Sequence, residues 1–229
     1  MVALRTLREG DGPTLVCLPH AGGSAGSFSR LAGRLPAGWR VLAGEAEHDG
    51  AADLDRVARA WAEAVRPYLS ARTVLLGHSL GAVLALAVAD LVGGDLAGTR
   101  LLLAAPPLAV GDVVRELLAR PGDAALVTGL TELGLLPRTS LTPEEVGRLL
   151  LPRFRRDIAL APDGLTRPVT VPVRILLGAG DRLCPPSAVT ERLPPALVLD
   201  CRVLPGGHYF LTTEPARSAA AIAEMYGSD

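Results

Sequence analysis

The chain has 229 residues, 49% of them hydrophobic and 21% charged, the size and balance of a soluble globular domain rather than a disordered or fibrous chain. All 23 Lys+Arg positions are arginine, and Lys, Asn and Gln are absent, which excludes Schiff-base and lysine-bound pyridoxal phosphate chemistry, a Walker-type phosphate loop and a Cys-His-Asn triad. The net charge of -1 argues against a nucleic-acid binder, which carries a basic surplus.

The first sixteen residues hold Arg5, Arg8, Glu9 and Asp11 with no apolar run, so no signal peptide is expected. Thr14-Leu-Val-Cys-Leu18 reads as a buried strand closed by Pro19, followed by the glycine-rich loop His20-Ala-Gly-Gly-Ser-Ala-Gly26. Phe28 to Leu35 reads as a short helix stopped by Pro36, and Arg40 to Ala43 as a second strand. From Asp53 to Leu69 the apolar residues Leu54, Val57, Ala58, Trp61, Ala64 and Val65 fall on one helical face. Thr73 to Gly77 is a strand, Leu80 to Val92 an almost wholly apolar helix, and Leu101 to Ala105 a strand ended by Pro106 and Pro107. That helix is broken by Asp90 and too short to span a bilayer.

Between Leu108 and about Arg167 only helical signals remain, cut by Pro, Gly and Thr. Strands resume at Val171 to Gly178 and Val198 to Leu204, and a last helix runs from Pro215 to Met225. Apolar strands alternating with helices predict an α/β domain over residues 1–229: a mostly parallel sheet covered on both faces, with a helical insertion at about 108–167. Cys17, Cys184 and Cys201 are odd in number and widely spaced, as free thiols in a reducing cytoplasm are, rather than a disulfide framework or a zinc site.

Gly77-His-Ser-Leu-Gly81 is a G-x-S-x-G sequence between a predicted strand and a predicted helix, the context in which a tight turn exposes a nucleophilic serine. Ser79 then needs a base. Of the four histidines, His78 belongs to the turn and should point away from the attacking side chain. His48 sits in the polar run Glu45-Ala-Glu-His-Asp49, and His20 shapes the glycine loop. His208, on the loop after the last strand, reaches the same sheet edge as Ser79. In the chain order Ser, Asp, His, the carboxylate falls between them. Asp181, just past a strand, fits; Asp157 lies in the insertion and Asp200 at the opposite sheet edge. The oxyanion donors are expected to be the N–H of Leu80 and, from the glycine loop, that of Ala21, with Gly22 as the competing choice.

Four ordered motifs resemble the stand-alone type II thioesterases of polyketide synthase and non-ribosomal peptide synthetase systems, in the α/β-hydrolase superfamily. They are Leu18-Pro-His-Ala-Gly-Gly-Ser24, Gly77-His-Ser-Leu-Gly-Ala82, Pro152-Arg-Phe-Arg-Arg-Asp157 (similar to the P-x-L-R-x-D of that family's lid) and Gly206-Gly-His-Tyr-Phe-Leu211. The resemblance implies an α/β-hydrolase fold and hydrolysis of acyl groups from the phosphopantetheine arm of an acyl or peptidyl carrier protein. It implies a Ser79 acyl-enzyme and no metal or bound cofactor. The chain departs from the family where a P-G-R element often follows the second strand: it reads Val41-Leu-Ala-Gly-Glu-Ala-Glu-His48. It departs again at Ala104-Ala-Pro-Pro107, where relatives tend to have a polar or glycine turn.

The leucines of the insertion are expected mainly to pack it on the body, a minority lining an acyl channel. Arg148, Arg153, Arg155, Arg156 and Arg167 form the densest basic cluster, and Arg155 and Arg156 are the candidates for docking an acidic carrier protein. No membrane or nucleic-acid partner is expected, and a monomer is the default. The alternatives are an esterase, acyl transferase or cyclase on the same scaffold, and a non-catalytic partner of the synthase.

Overall fold

The apolar runs of the sequence become the middle of one seven-stranded sheet in the computed structural model, which describes residues 1–47, 53–96, 98–108, 111–136, 141–160 and 169–227. The strands are β1 (Val2–Arg8), β2 (Thr14–Leu18), β3 (Arg40–Ala46), β4 (Thr73–His78), β5 (Arg100–Ala104), β6 (Val173–Gly178) and β7 (Val198–Leu204). Their order is β1-β3-β2-β4-β5-β6-β7. Every neighbouring pair is parallel except β1 with β3. β4 and β6 are buried along their whole length, which is why they read as continuous apolar runs. β7 alternates half-buried and exposed residues, as an edge strand does.

Two expectations are corrected at the opposite edge. Residues 2–8, left unassigned from the sequence, form β1, whose register places Val2 opposite Ala46 and Leu4 opposite Gly44. That pairing extends β3 three residues beyond Ala43, so Glu45 sits in a strand and not in a polar loop. His48 lies outside the described residues.

The order in which strands are added reverses along the sheet: β2 leads to β3 on one side, whereas β4 leads to β5 on the other. Right-handed crossovers therefore place the intervening helices on opposite faces. A 3₁₀ turn (Ala25–Phe28) and α1 (Ser29–Ala32) link β2 to β3. On the other face lie α2 (Leu54–Val65), packed against α3 (Leu80–Val92). Asp53 starts α2 as an N-cap, its carboxylate accepting the Arg56 N–H at 2.7 Å. The face carrying Leu54, Val57, Ala58, Trp61 and Val65 is buried. Apart from Asp90 in its last turn, helix α3 is apolar all round because it lies between the sheet and α2.

Between β5 and β6 come α4 (Gly111–Leu118), α5 (Gly122–Glu132), α6 (Pro143–Leu149) and α7 (Leu151–Ile158), with no strand among the described residues. Thr142 and Glu145 close a capping box at the start of α6. Leu117, Leu126, Leu130, Leu151 and Phe154 are buried in the packing of this insertion, whereas Leu149 is exposed. The chain finishes with α8 (Pro186–Arg192), α9 (Phe210–Thr213) and α10 (Pro215–Tyr226), the last packing beside α1. No helix among the described residues is long and apolar enough to cross a membrane. A parallel sheet with one antiparallel edge, covered by helices on both faces and carrying a helical insertion after β5, is the α/β-hydrolase arrangement.

Candidate active site

Ser79 sits where β4 turns directly into α3, with φ 54° and ψ -117°, a conformation that costs a non-glycine residue about 1–3 kcal/mol. The flanking glycines make the turn possible. A Cβ on Gly77 would lie 2.2 Å from the Gly81 oxygen, and one on Gly81 would lie 2.1 Å from the Leu18 oxygen of β2. The spacing of the motif is thus set by two backbone contacts, one across the turn and one to the neighbouring strand. The Ser79 N–H bonds the Ala104 carbonyl at 2.9 Å, anchoring the strained residue to β5.

The loops after β6 and β7 are zipped together: the Ala179 N–H bonds the Leu204 oxygen and the Gly180 N–H bonds the Gly206 oxygen, each at 2.8 Å. This brings Asp181 and His208 side by side, and the His208 Nδ1–H donates to Asp181 Oδ2 at 2.8 Å. Both residues are buried, 4% exposed apiece. The other Asp181 oxygen, Oδ1, accepts the N–H groups of Leu183 and Cys184 at 2.9 Å each. Burial alone would raise the Asp181 pKa. The hydrogen bond and charge interaction with His208, with the two backbone donors, outweigh it and hold the carboxyl below its ordinary value. With Nδ1 as the donor, His208 Nε2 carries the lone pair that a base needs. Asp200 lies instead on β7, bonded to Arg202. No hydrogen bond joins Ser79 Oγ to His208 among the described residues; such contacts are often long before substrate binds.

The His78 ring lies 5.4 Å from that of His208, and its Nε2–H donates to the His208 carbonyl oxygen at 2.8 Å, holding the backbone of that loop. His20 packs edge-on against both His78 and Tyr209, with ring centroids 5.2 and 4.8 Å apart, and its Nδ1–H donates to the Ala21 oxygen at 3.0 Å. Burial keeps both rings neutral, lowering His20 to about 4 and His78 well below its ordinary value. The Tyr209 hydroxyl donates to the Leu135 carbonyl of the insertion at 2.6 Å.

The two expected oxyanion donors differ from their competitor. Leu80 is the first residue of α3, so its N–H has no intrahelical acceptor. The Ala21 N–H has no acceptor among the described residues. The Gly22 N–H is engaged, donating to Asp157 Oδ2 at 2.7 Å. Asp157, set aside from the sequence as a triad member because it lies in the insertion, therefore touches the site from above. Glu45 also reaches the glycine loop, accepting the Ala25 N–H at 3.1 Å. The last aspartate of the Pro152–Asp157 motif was a legible signal for the first contact. Nothing in the sequence points to the second, because the polar run around Glu45 carries no strand signal.

Among the described residues, Asp181, Cys184 and His208 are the one group close enough to share a metal ion. The donor set is poor: the Asp181–His208 hydrogen bond occupies two of the ligand atoms, and burial followed by the Asp181 charge pushes the Cys184 thiol upward, keeping it protonated. The arginine cluster divides. Arg153 lies 3.8 Å from Asp157 and 4.0 Å from Glu45, Arg155 pairs with Asp123 at 2.9 Å, and Arg148 and Arg156 are exposed. Arg167 lies outside the described residues. A groove of about 700 Å³ runs from His208 between the glycine loop and residues 207–213, with Leu136 of the insertion on its wall and Arg30 among its lining residues.

Comparison with known proteins places this arrangement. The thioesterase domain family matches residues 13–229. The thioesterase PikA5 of Streptomyces venezuelae is 30% identical over 223 residues, covering 87% of this chain and 76% of its own. A probable cadicidin biosynthesis thioesterase of Streptomyces griseus is 29% identical; the match takes in 96% of this chain and 64% of that protein's length. The solved structure of the type II thioesterase BorB from the borrelidin biosynthetic cluster superposes with a TM-score of 0.75 at 27% identity, covering 97% of both chains. With the family matched over nearly the whole sequence and the fold shared with a type II enzyme, the chain belongs to the thioesterase family and is a thioester hydrolase.

Proposed function

We propose that this enzyme hydrolyses acyl groups held as thioesters on the phosphopantetheine arm of an acyl or peptidyl carrier protein in polyketide or non-ribosomal peptide biosynthesis. The observation that carries the reading is the buried Asp181–His208 pair at the same sheet edge as a strained, glycine-flanked Ser79. Ser79 is the nucleophile. His208 Nε2 takes its proton, and Asp181 fixes the tautomer and stabilises the imidazolium without accepting the proton. The tetrahedral oxyanion is held by the N–H groups of Ala21 and Leu80, and the amino end of α3 adds a favourable partial charge. Collapse expels the pantetheine thiol. Its low pKa means that proton donation by His208 matters less than it would for an amide. Water activated by His208 then attacks the acyl-enzyme and releases the acid.

The groove beside His208 suits the arm. Its volume lies in the range of small-molecule sites, its lining includes the hydroxyls of Ser24, Ser27, Thr212 and Thr213, and it contains no carboxylate. Arg30 is the single permanent cation among the lining residues and matches the arm's phosphate. The insertion acts as a lid over this groove, within one domain spanning residues 1–229. Arg155 and Arg156 are assigned to docking of the acidic carrier protein. The Asp123 pairing of Arg155 leaves Arg156 the freer of the two for that contact.

A fluorophosphonate probe and an acyl carrier protein substrate test the reading together. The wild type should label on Ser79 and release acid from the carrier protein, and Ser79→Ala should do neither. Unlabelled wild type, or hydrolysis that survives Ser79→Ala, refutes it.

A further inference from the structure

Beyond the triad, the glycine loop that offers the Ala21 N–H is held by two carboxylates from different parts of the chain. Asp157, 9% exposed on α7 of the lid, accepts the Gly22 N–H at 2.7 Å, a short, charge-assisted contact. Glu45, on β3 of the body, accepts the Ala25 N–H three residues further on, at 3.1 Å. Arg153 stands between them, 3.8 Å from the Asp157 carboxylate and 4.0 Å from that of Glu45. It keeps two acidic groups on one short loop from repelling each other.

The consequence for catalysis follows from peptide geometry. The Ala21 C=O and the Gly22 N–H belong to one planar unit, and both ends of that unit are pinned: the oxygen by the His20 Nδ1–H at 3.0 Å, the N–H by Asp157. Gly22 itself is in the left-handed region, at φ 73°, where glycine exchanges conformations at little cost. Without an acceptor for its N–H the plane is held at its oxygen alone and rotates more easily. Such a rotation swings the adjoining Ala21 N–H off its aim and turns a carbonyl oxygen toward the space meant for an oxyanion. Phe154, one turn before Asp157 on α7, packs within 3.6–3.8 Å of where a Gly22 side chain would begin, so the same helix also fixes the loop sterically.

We propose that Asp157 is a positioning residue for the oxyanion hole, supported by Arg153 and Glu45, and that the hole is complete only while α7 of the lid is seated on the glycine loop. The proposal rests on the thioesterase mechanism above and adds a requirement to it. Ala21 presents its donor because the lid carboxylate occupies its neighbour. The acidic Gly44-Glu45 stretch, found where the family often carries P-G-R, becomes the body half of this clamp.

The test compares Asp157→Ala, Asp157→Asn and Glu45→Ala on an acyl-N-acetylcysteamine thioester, which needs neither the carrier protein nor the phosphate. Removing an oxyanion donor typically costs about 10²–10³-fold in kcat. A misaimed donor retains part of that, so Asp157→Ala is expected to lose about 30- to 100-fold in kcat, with KM changing less than about 3-fold because ground-state binding does not use the hole. Asp157→Asn keeps an oxygen for the Gly22 N–H and should return to within about 5-fold of wild type. Glu45→Ala, which removes the acceptor of the Ala25 N–H at a more exposed position, should lose about 3- to 10-fold. Affinity for a trifluoromethyl ketone analogue, whose Ser79 adduct places a negative oxygen in the hole, should fall in step with kcat, whereas affinity for a thioether analogue should not.

Asp157→Ala with kcat and ketone affinity within 2-fold of wild type overturns the proposal, as does an effect confined to KM. If Asp157→Ala does not fold, the same outcomes in Glu45→Ala decide. A wild type that does not hydrolyse thioesters refutes the underlying mechanism instead, and an active wild type with unaffected variants refutes the positioning role alone.

Discussion

Replacing Asp181 by Asn changes one atom of the side chain and should cost nearly all of the activity. In the native protein Oδ1 accepts two backbone N–H groups, from Leu183 and Cys184, and Oδ2 accepts the His208 Nδ1–H. An amide placed there has one oxygen and one NH₂. Two donors at 2.9 Å can be met only by the oxygen, so the NH₂ must face His208 Nδ1. Nδ1 then has to accept, the ring proton moves to Nε2, and the base that should take the Ser79 proton has none of its lone pair free. A comparable tautomer error in a serine protease lowers kcat by about 10⁴, or about 5.5 kcal/mol of transition-state stabilisation. The assay is thiol release from an acyl-N-acetylcysteamine thioester, followed with a chromogenic disulfide and compared at matched folded fraction. Substrate affinity should be little altered, because the change lies behind the base and not in the groove. The chain supplies its own control: the same Asp-to-Asn exchange at Asp157, which preserves an acceptor for a single donor, should cost no more than about 5-fold. If Asp181→Asn keeps more than a hundredth of the wild-type rate, Asp181 does not set the tautomer of the catalytic base.

Other outcomes follow from buried charge and from the groove. His20 is held neutral when folded, at about 4 against 6.5, whereas the unfolded chain binds that proton below 6.5. Stability therefore falls as pH drops, by about 2 kcal/mol between pH 7 and 5 from this residue, and levels off below about 4; His78, lowered in the same direction, adds to the loss. Urea midpoints at the two pH values measure it, and a flat or opposite dependence would contradict the neutral imidazoles. Arg30→Ala should reduce kcat/KM about 5-fold for acyl phosphopantetheine, a contact of about 1 kcal/mol, yet leave acyl pantetheine without its phosphate unchanged. Arg156→Glu should weaken only the carrier-protein substrate. Equal effects of either substitution on all three substrates would refute the assigned contacts.

Much of this fold is written in its residues. Strands β2 and β7 and helix α3 have the limits that their apolar runs and flanking glycines and prolines announce. The elbow was legible for a local reason, since Gly77 and Gly81 are demanded by contacts within one turn and one strand. Strand β1 was not. It carries Arg5 and Arg8 among Val2, Leu4 and Leu7, is only half-buried, and owes its conformation to a partner some forty residues away. Residues 44–46 of β3, Glu45 among them, pair with β1 and so share its weak local signal. The contacts of Asp157 and Glu45 with the glycine loop join residues 135 and 20 positions apart, and no periodicity encodes such distances. Ala105 shows the same limit: its φ of 46° is a conformation for which sequence reasoning expects glycine. It is tolerated because its N–H bonds the Leu176 oxygen at 2.9 Å.

The absence of Asn and Gln shapes how the site is held as well as what it can do. An amide side chain both accepts from backbone N–H groups and donates to backbone carbonyls; here those two tasks are divided. Three carboxylates take backbone N–H groups around the site, with Asp181 holding residues 183 and 184, Asp157 holding Gly22 and Glu45 holding Ala25. Carbonyls are held by neutral rings and a phenol, with His20 on Ala21, His78 on His208 and Tyr209 on Leu135. Two of these contacts, Asp157 to Gly22 and Tyr209 to Leu135, run between the lid and the catalytic loops, one to the oxyanion side and one beside the base. If the insertion lifts as the proposed lid, both contacts break at once, and on the proposed mechanism thioester cleavage would then belong to the closed arrangement.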